Sequence, residues 1–396
     1  MLRGSQPYLS CGHSARQMRR PAVGIVGVGA AGFKPALPEI STRELMFEAA
    51  ALAYRDAGID PRKEVDSFVT TSEDLWEGWS ITDEMVPDQI GGAGRPVCTI
   101  PGDGITVLGN AVMQIESGVA QVVVLEAHSK ASDVLDKEAV ENLAQEPSLM
   151  RPLGMGADTL AALEMEAFLR LSGFSVADCD VVVENSRRRA MANPLASFGS
   201  KRRRGVSPSS EVISSPLRRA DKAQYADAAV VVVLASKAWA RKTKAEPVSV
   251  DGVAWGSSLP WFDGGHTAYA EYARSSFERA AKQAELKRGL GSLDLIEIDD
   301  TYSFKLLQHL VSLSRDKEEA STVLRGQGPA LNPSGGSLAV GNLIEASALH
   351  RLYEAVLQLR GEGGRRQVKG AKSALVQSWR GVPTATGGVA ILSVGA

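Results

Sequence analysis

At 396 residues, with 44% hydrophobic and 23% charged content, the chain has the make-up of a soluble globular protein too long for one ordinary core. A formal net charge of -2 argues against general nucleic-acid binding, and no apolar run approaches the roughly 20 residues needed to span a bilayer. Cys11, Cys98 and Cys179 show neither metal-ligand spacing nor a disulfide framework, which points to reduced thiols in a cytoplasmic protein.

Residues 1–21 are basic and polar and lack the apolar segment of a secretory signal, so they read as a disordered leader. Ala22 to Val28 is an apolar run read as a buried strand, and Ser41 or Thr42 caps a helix from Arg43 to Ala57. Asp66 to Thr70 is a strand, Gly104 to Ile115 a helix closed by Ser117-Gly118, and Ala120 to Ala127 a central strand. This alternation, with continuously apolar strands, predicts an α/β sheet covered on both faces. Residues 128 to about 220 break the rhythm with two helical stretches, Asp158 to Leu171 and Asp180 to Met191, and read as an insertion. The rhythm returns at Asp227 to Leu234. Beyond it, Val248 to Val253 is a strand, Ala268 to Ala284 a helix, Leu293 to Ile298 a strand and Ala346 to Leu359 a helix. Ser373 to Gln377 and Gly388 to Val394 close the chain as strands. Each half carries a small-residue turn, a helix and a strand, Pro101-Gly-Asp-Gly104 opening one and Ser334-Gly-Gly-Ser337 the other. That suggests a duplication, with halves over 22–245 and 246–396.

Several motifs carry potential chemistry. Gly27-Val-Gly-Ala-Ala-Gly32 matches the dinucleotide fingerprint, but Pro35 and Pro38 follow and the helix starts about ten residues late. It reads as a strand-to-loop turn, and no NAD site is expected. None of the five histidines pairs at metal spacing, so no metal is expected. His309 and His350 lie within helices as structural residues, while His266, in a Gly-Gly-His-Thr loop, is the one imidazole placed for catalysis. Cys98 precedes a glycine turn and a helix whose N-terminus would favour a thiolate; the plainer reading is a small buried hydrophobe. Asp299 and Asp300 follow a strand and project to opposite sides, so one can cap the next helix while the other works as a base. Tyr302 can donate a proton to a developing oxyanion. Lys201, Arg202, Arg203 and Arg204 form either a solvated loop or a site for the phosphates of a nucleotide-bearing group.

Together these pieces resemble the thiolase superfamily, particularly the sterol carrier protein-type and archaeal thiolases, over residues 22–396. In that family a cysteine, two residues, a glycine and a helix precede Ser-Gly and a strand. Gly104, Ser117-Gly118 and Val122 to Leu125 fit that frame, which puts the cysteine position on Pro101, with Cys98 three residues early. Asn193-Pro-Leu-Ala196, Ser215-Pro-Leu217 and Asp227-Ala-Ala229 resemble the family's middle segments. The insertion then implies a coenzyme A-binding loop domain, with Lys201 to Arg204 on the phosphates. Asp299 to Tyr302 matches the family's Asn-Glu-Ala-Phe or His-Asp-Ala-Phe segment. Asn332, Gly335, Gly336, Ala339 and Gly341 match its glycine loop, but Asn342 stands where histidine would be, Leu343 replaces proline and Glu345 replaces glycine. The last catalytic segment reads Gln377-Ser-Trp-Arg-Gly381.

The resemblance implies a duplicated five-layered αβαβα fold, a homodimer, and coenzyme A thioesters as substrates. Pro101 cannot attack a thioester and Asn342 cannot act as a base, so the ordinary mechanism is lost. Cysteine-less members of the superfamily cleave carbon–carbon bonds by retro-aldol chemistry, as in steroid side-chain breakdown, with a small zinc-ribbon and OB-fold partner. Retro-aldol cleavage of an acyl-coenzyme A is therefore the expected activity. Asp299 or Asp300 would be the base, Tyr302 a proton relay and Asn342 the donor to the thioester oxygen. A tyrosine that those lyases carry near the histidine loop is absent here. Two other readings remain: a non-catalytic acyl-coenzyme A-binding scaffold, and a thiolase in which Cys98 has moved into place.

Overall fold

The computed structural model describes residues 23–73, 76, 81–199, 211–241, 247–259, 269–382 and 384–395. Its strands are β1 (Val23–Lys34), β2 (Ser67–Thr71), β3 (Val97–Thr99), β4 (Val122–Ser129), β5 (Val212–Ser214) and β6 (Leu217–Arg218). They continue with β7 (Asp227–Ser236), β8 (Val248–Ser257), β9 (Leu295–Glu297), β10 (Ala330–Leu331), β11 (Ser373–Trp379) and β12 (Thr386–Ser393). Among the described residues, strands β5 and β6 pair only with each other. The remaining strands form one sheet in the order β10-β9-β11-β12-β8-β1-β7-β4-β2-β3.

That order encodes a repeat. Outward from the centre, one flank runs β1-β7-β4-β2-β3 and the other β8-β12-β11-β9-β10. In each flank the first two pairings are antiparallel and the outer two parallel. The flanks meet through the antiparallel register Gly24↔Ser249 and Ile25↔Val248. Helix Thr42–Ala57 covers β1, β7 and β4, and helix Glu271–Gln283 covers β8 and β12. Helices Gly104–Glu116 and Ala346–Arg360 each pack on strands of both flanks and against one another, so they form the middle layer.

The side-chain period of a strand divides the core accordingly. Along β7, Ala228, Val230, Val232 and Leu234 join the central cluster with Leu108 and Leu352. Ala229, Val231, Val233 and Ala235 join the outer cluster with Leu45 and Ala53. Both faces are covered, which is why every residue of β7 is apolar or small between its capping Asp227 and Ser236.

The glycine-rich run at 27–32 is not the expected turn. It lies inside β1, which continues to Lys34. A Cβ at Gly29 would lie 2.2 Å from the carbonyl oxygen of Ala49 and 2.4 Å from the nitrogen of Ala53. The glycines therefore let the outer helix approach the strand backbone, and no helix N-terminus faces a pyrophosphate there.

Between β4 and β7, helices Ala157–Ser172 and Val176–Ala190 pack against helix Ser303–Leu313. Among the described residues no helix is long and apolar enough to cross a membrane.

Candidate active site

Beyond the C-terminal end of β9 the chain runs through Asp299-Asp300-Thr301-Tyr302 into helix Ser303–Leu313. Beside it, the loop after β10 is locked by Asn332, whose Oδ1 accepts from Ile298 N (2.7 Å) and whose Nδ2 donates to Ile298 O (2.9 Å). The loop then winds through Gly335 (φ 96°) and Gly336 (φ 68°) into a short helix, Ser337–Val340, and delivers Asn342. Both glycines adopt left-handed conformations, and a Cβ at Gly336 would sit 2.0 Å from Asp300 Oδ2.

The two adjacent acids do diverge. Asp300 points beneath the loop, where Oδ1 accepts from Ser337 N (2.5 Å) and Oδ2 from Ser186 Oγ (3.3 Å). Burial pushes its carboxyl up to about 7, with Arg351 opposing that shift. Asp299 faces a cavity of about 220 Å³. Its Oδ1 accepts from Thr301 N (3.0 Å), its Oδ2 lies 2.6 Å from Arg351 Nη2, and its own amide donates to Gln377 Oε1 (2.9 Å).

The cavity brings together Asp299, Tyr302 and Asn342. Tyr302 donates to Asp158 Oδ1 (2.9 Å), which in turn lies 2.8 Å from Lys222 Nζ. Burial first, then the nearby carboxylates, hold the Tyr302 phenol well above its ordinary value, so it enters neutral chemistry as a donor. Asn342 Oδ1 accepts from Ile344 N (3.0 Å), and among the described residues its amide hydrogens have no partner. Its backbone is held by Asn342 N to Gln224 O (2.7 Å) and Ala226 N to Asn342 O (3.1 Å). Tyr225, between those two contacts, also lines the cavity and donates to Glu141. Trp76, Trp379 and the ion pair of Arg380 with Glu73 also line the cavity.

The remaining sequence candidates lie elsewhere. Cys98 is exposed on edge strand β3, not the buried hydrophobe expected, and its Sγ lies 4.0 Å from the Thr99 carbonyl. Neither it nor Pro101 lines the cavity. The helix N-terminus that would have favoured a thiolate is occupied by Asp103, which accepts from Ile105 N (2.8 Å) and Thr106 N (3.0 Å) and is held by Ser378 Oγ (2.8 Å). His309 is a structural residue: its Nε2 meets the Tyr272 hydroxyl at 2.7 Å, and burial pushes it down to about 3. His266, Lys201, Arg202, Arg203, Arg204 and the leader lie outside the described residues.

Glu141, Asp158, Lys222 and Tyr225 were not singled out from the sequence. They come from the segment between β4 and β7, where neither spacing nor periodicity links them to Asp299. Only their closeness to Asp227, at the head of β7, offered a hint for Lys222 and Tyr225.

Comparison with known proteins agrees with this architecture. Residues 265–394 match the family model for a thiolase C-terminal domain-like region. The chain is 26% identical to an acetyl-CoA acetyltransferase of Methanothermobacter thermautotrophicus, over 94% of this chain and 98% of that protein. It is also 26% identical to the 17-hydroxy-3-oxo-4-pregnene-20-carboxyl-CoA lyase of Mycobacterium tuberculosis, over 91% of this chain and 97% of that one. Among solved structures, the Ltp2-ChsH2(DUF35) aldolase superposes with a TM-score of 0.80 at 22% identity, over 94% of this chain and 98% of that chain. Residues 265–394 are thus similar to a thiolase C-terminal domain, and the mixed α/β fold with its large central sheet is that of thiolase-fold proteins. Over 38% of its length the chain is also 31% identical to sterol carrier protein 2 of Bos taurus, covering 30% of that protein.

Proposed function

We propose that the protein cleaves a β-hydroxyacyl-coenzyme A by a retro-aldol reaction that needs no cysteine nucleophile. The observation that carries this reading is the company kept in the cavity: an acid, a neutral phenol and an amide donor with no partner among the described residues, with neither described cysteine in its lining. The lyase and aldolase relatives support it. In the forward step Asp299 takes the β-hydroxyl proton, a carbonyl forms at Cβ, and the Cα–Cβ pair moves onto the thioester as an enolate. Asn342 Nδ2 donates to the oxygen on which charge collects, while Tyr302, donating to Asp158, serves as a proton relay beside it. Because Tyr302 is hydrogen-bonded to Asp158, its orientation is fixed before substrate arrives. Phosphates of coenzyme A are assigned to Lys201 to Arg204, and a homodimer with a small zinc-ribbon and OB-fold partner is the assembly this reading carries.

Turnover of a 3-hydroxyacyl-coenzyme A, followed by release of the shorter acyl-coenzyme A with any co-purifying protein present, tests it. Asp299→Asn and Tyr302→Phe are each expected to lower kcat at least about tenfold. Full activity in both variants, or tight calorimetric binding of acyl-coenzyme A with no cleavage by the unaltered protein, overturns the assignment.

A further inference from the structure

Retro-aldol cleavage moves two protons, and Asp299 accounts for only the one leaving the β-hydroxyl. The second must be delivered to the α-carbon of the enolate, which is one bond from the thioester carbonyl. Whatever protonates it must therefore stand beside the group that holds the thioester oxygen. The backbone identifies that neighbour: Tyr225 and Asn342 form a parallel bridge, fixed on either side by Gln224 O and Ala226 N. Paired residues on adjacent extended segments lie about 5 Å apart and project side chains to the same face. Here that face is the cavity, which both side chains line.

Resting on the cleavage reading above, we infer that Tyr225 and Glu141 form the acid–base dyad that protonates the α-carbon. Glu141 comes from helix Lys137–Leu143 and meets the phenol directly, as the acceptor of its hydrogen bond. In the cleavage direction Glu141 first takes a proton from solvent; the phenol proton then passes from Tyr225 Oη to Cα, the enolate pair forms the new C–H bond, and Tyr225 takes the proton of Glu141 in exchange. Asp299 releases the hydroxyl proton to solvent, so charge and protons balance over the cycle. In the reverse direction Glu141 draws the phenol proton while Tyr225 removes one from Cα. Two features of the environment suit the dyad to this work. Burial raises the Tyr225 phenol well above its ordinary 10.0, so it does not ionise alone. Burial also raises Glu141, more than the Tyr225 bond and Lys222 lower it, so its carboxylate is a stronger base than an exposed one.

The test is exchange at the α-carbon, which needs no β-hydroxyl. Propionyl-coenzyme A incubated with the full-length protein and any co-purifying partner in deuterium oxide is expected to take up deuterium at Cα, read by mass spectrometry. Tyr225→Phe and Glu141→Gln are each expected to slow that uptake at least about thirtyfold. Calorimetric affinity for propionyl-coenzyme A should stay within about threefold, since neither change removes packing volume. No uptake by the unaltered protein, or undiminished uptake by Tyr225→Phe, overturns the dyad. Uptake that is lost in Tyr225→Phe, together with no cleavage of a 3-hydroxyacyl-coenzyme A, supports the dyad and overturns the cleavage reading instead.

Discussion

Arg351→Met is expected to lower the unfolding free energy by about 3–5 kcal/mol, because it removes one partner of a fully buried ion pair. Arg351 and Asp299 are each 1% exposed, and the guanidinium nitrogen nearest the carboxylate is 2.6 Å away. The same nitrogen donates to Ser337 Oγ at 2.7 Å. One cation from the central helix Ala346–Arg360 thus fastens the acid after β9 to the head of the loop that delivers Asn342. Methionine fills most of the volume but leaves the Asp299 carboxylate without a countercharge. Urea unfolding of the single variants and of Arg351→Met with Asp299→Asn closes a double-mutant cycle. The double variant is expected to lose clearly less than the sum of the singles, since the amide has no charge left to strand. A loss below about 1 kcal/mol for Arg351→Met, or strict additivity, would show that the pair contributes nothing beyond shape.

The fold was legible because burial on both faces writes itself into composition. Four consecutive valines in β7 have no other use than a strand between two layers, and the runs around Val123 and Ile296 repeat the signal. The divergence of Asp299 and Asp300 was also readable, from the strand period alone. So was the loop carrying Asn342, because Gly335 and Gly336 occupy conformations that other residues adopt at a cost. The glycines of β1 misled for a related reason. Absence of a side chain permits a positive φ, a phosphate approach or a close helix, and composition does not say which. The Ala49 and Ala53 backbone settles it for Gly29.

Half of the site was not legible. Tyr225 and Glu141 stand 84 residues apart, and Tyr302 and Asp158 are separated by 144. Contacts of that span depend on how helices Lys137–Leu143 and Ala157–Ser172 settle over the sheet, which no local pattern records. The bridge between Tyr225 and Asn342 is a second such case, joining the segment ahead of β7 to the loop after β10. The cavity therefore draws its groups from both repeats. Its acid and amide donor come from the second, and its phenol–carboxylate dyad from the segment preceding the last strand of the first. A fold built as a duplication can change chemistry by altering residues where the halves meet, while the layers that support them stay intact.

Beneath that junction lies a pH dependence with a definite sign. Glu297, at the end of β9, accepts from Ser334 N (3.0 Å) and Ser334 Oγ (2.7 Å), and with Asp300 it anchors the loop from below. Burial, followed by the Glu354 charge, raises Glu297 from 4.5 to about 8; burial also raises Asp300 from 3.8 to about 7. Both folded values exceed the unfolded ones, so the native state binds more protons and stability falls as pH rises towards the folded values. His309 works in the opposite sense: it is lowered from 6.5 to about 3, so its penalty is felt only as pH falls below 6.5. Between pH 6.5 and 8 these two carboxyls therefore pull stability down as pH rises. The expected loss over that interval is on the order of 2 kcal/mol, most of it from Glu297 because Asp300 is already half-titrated near 7. Glu297→Gln mimics the protonated side chain and cannot ionise. It should flatten the curve, leaving a shallow fall between pH 6.5 and 8 that belongs to Asp300. Denaturant titrations of both proteins at pH 6.5, 7.2 and 8 measure this directly. Parallel curves for the two proteins would mean that Glu297 is ionised in the native state throughout, and that the loop rests on a buried carboxylate instead of a neutral acid.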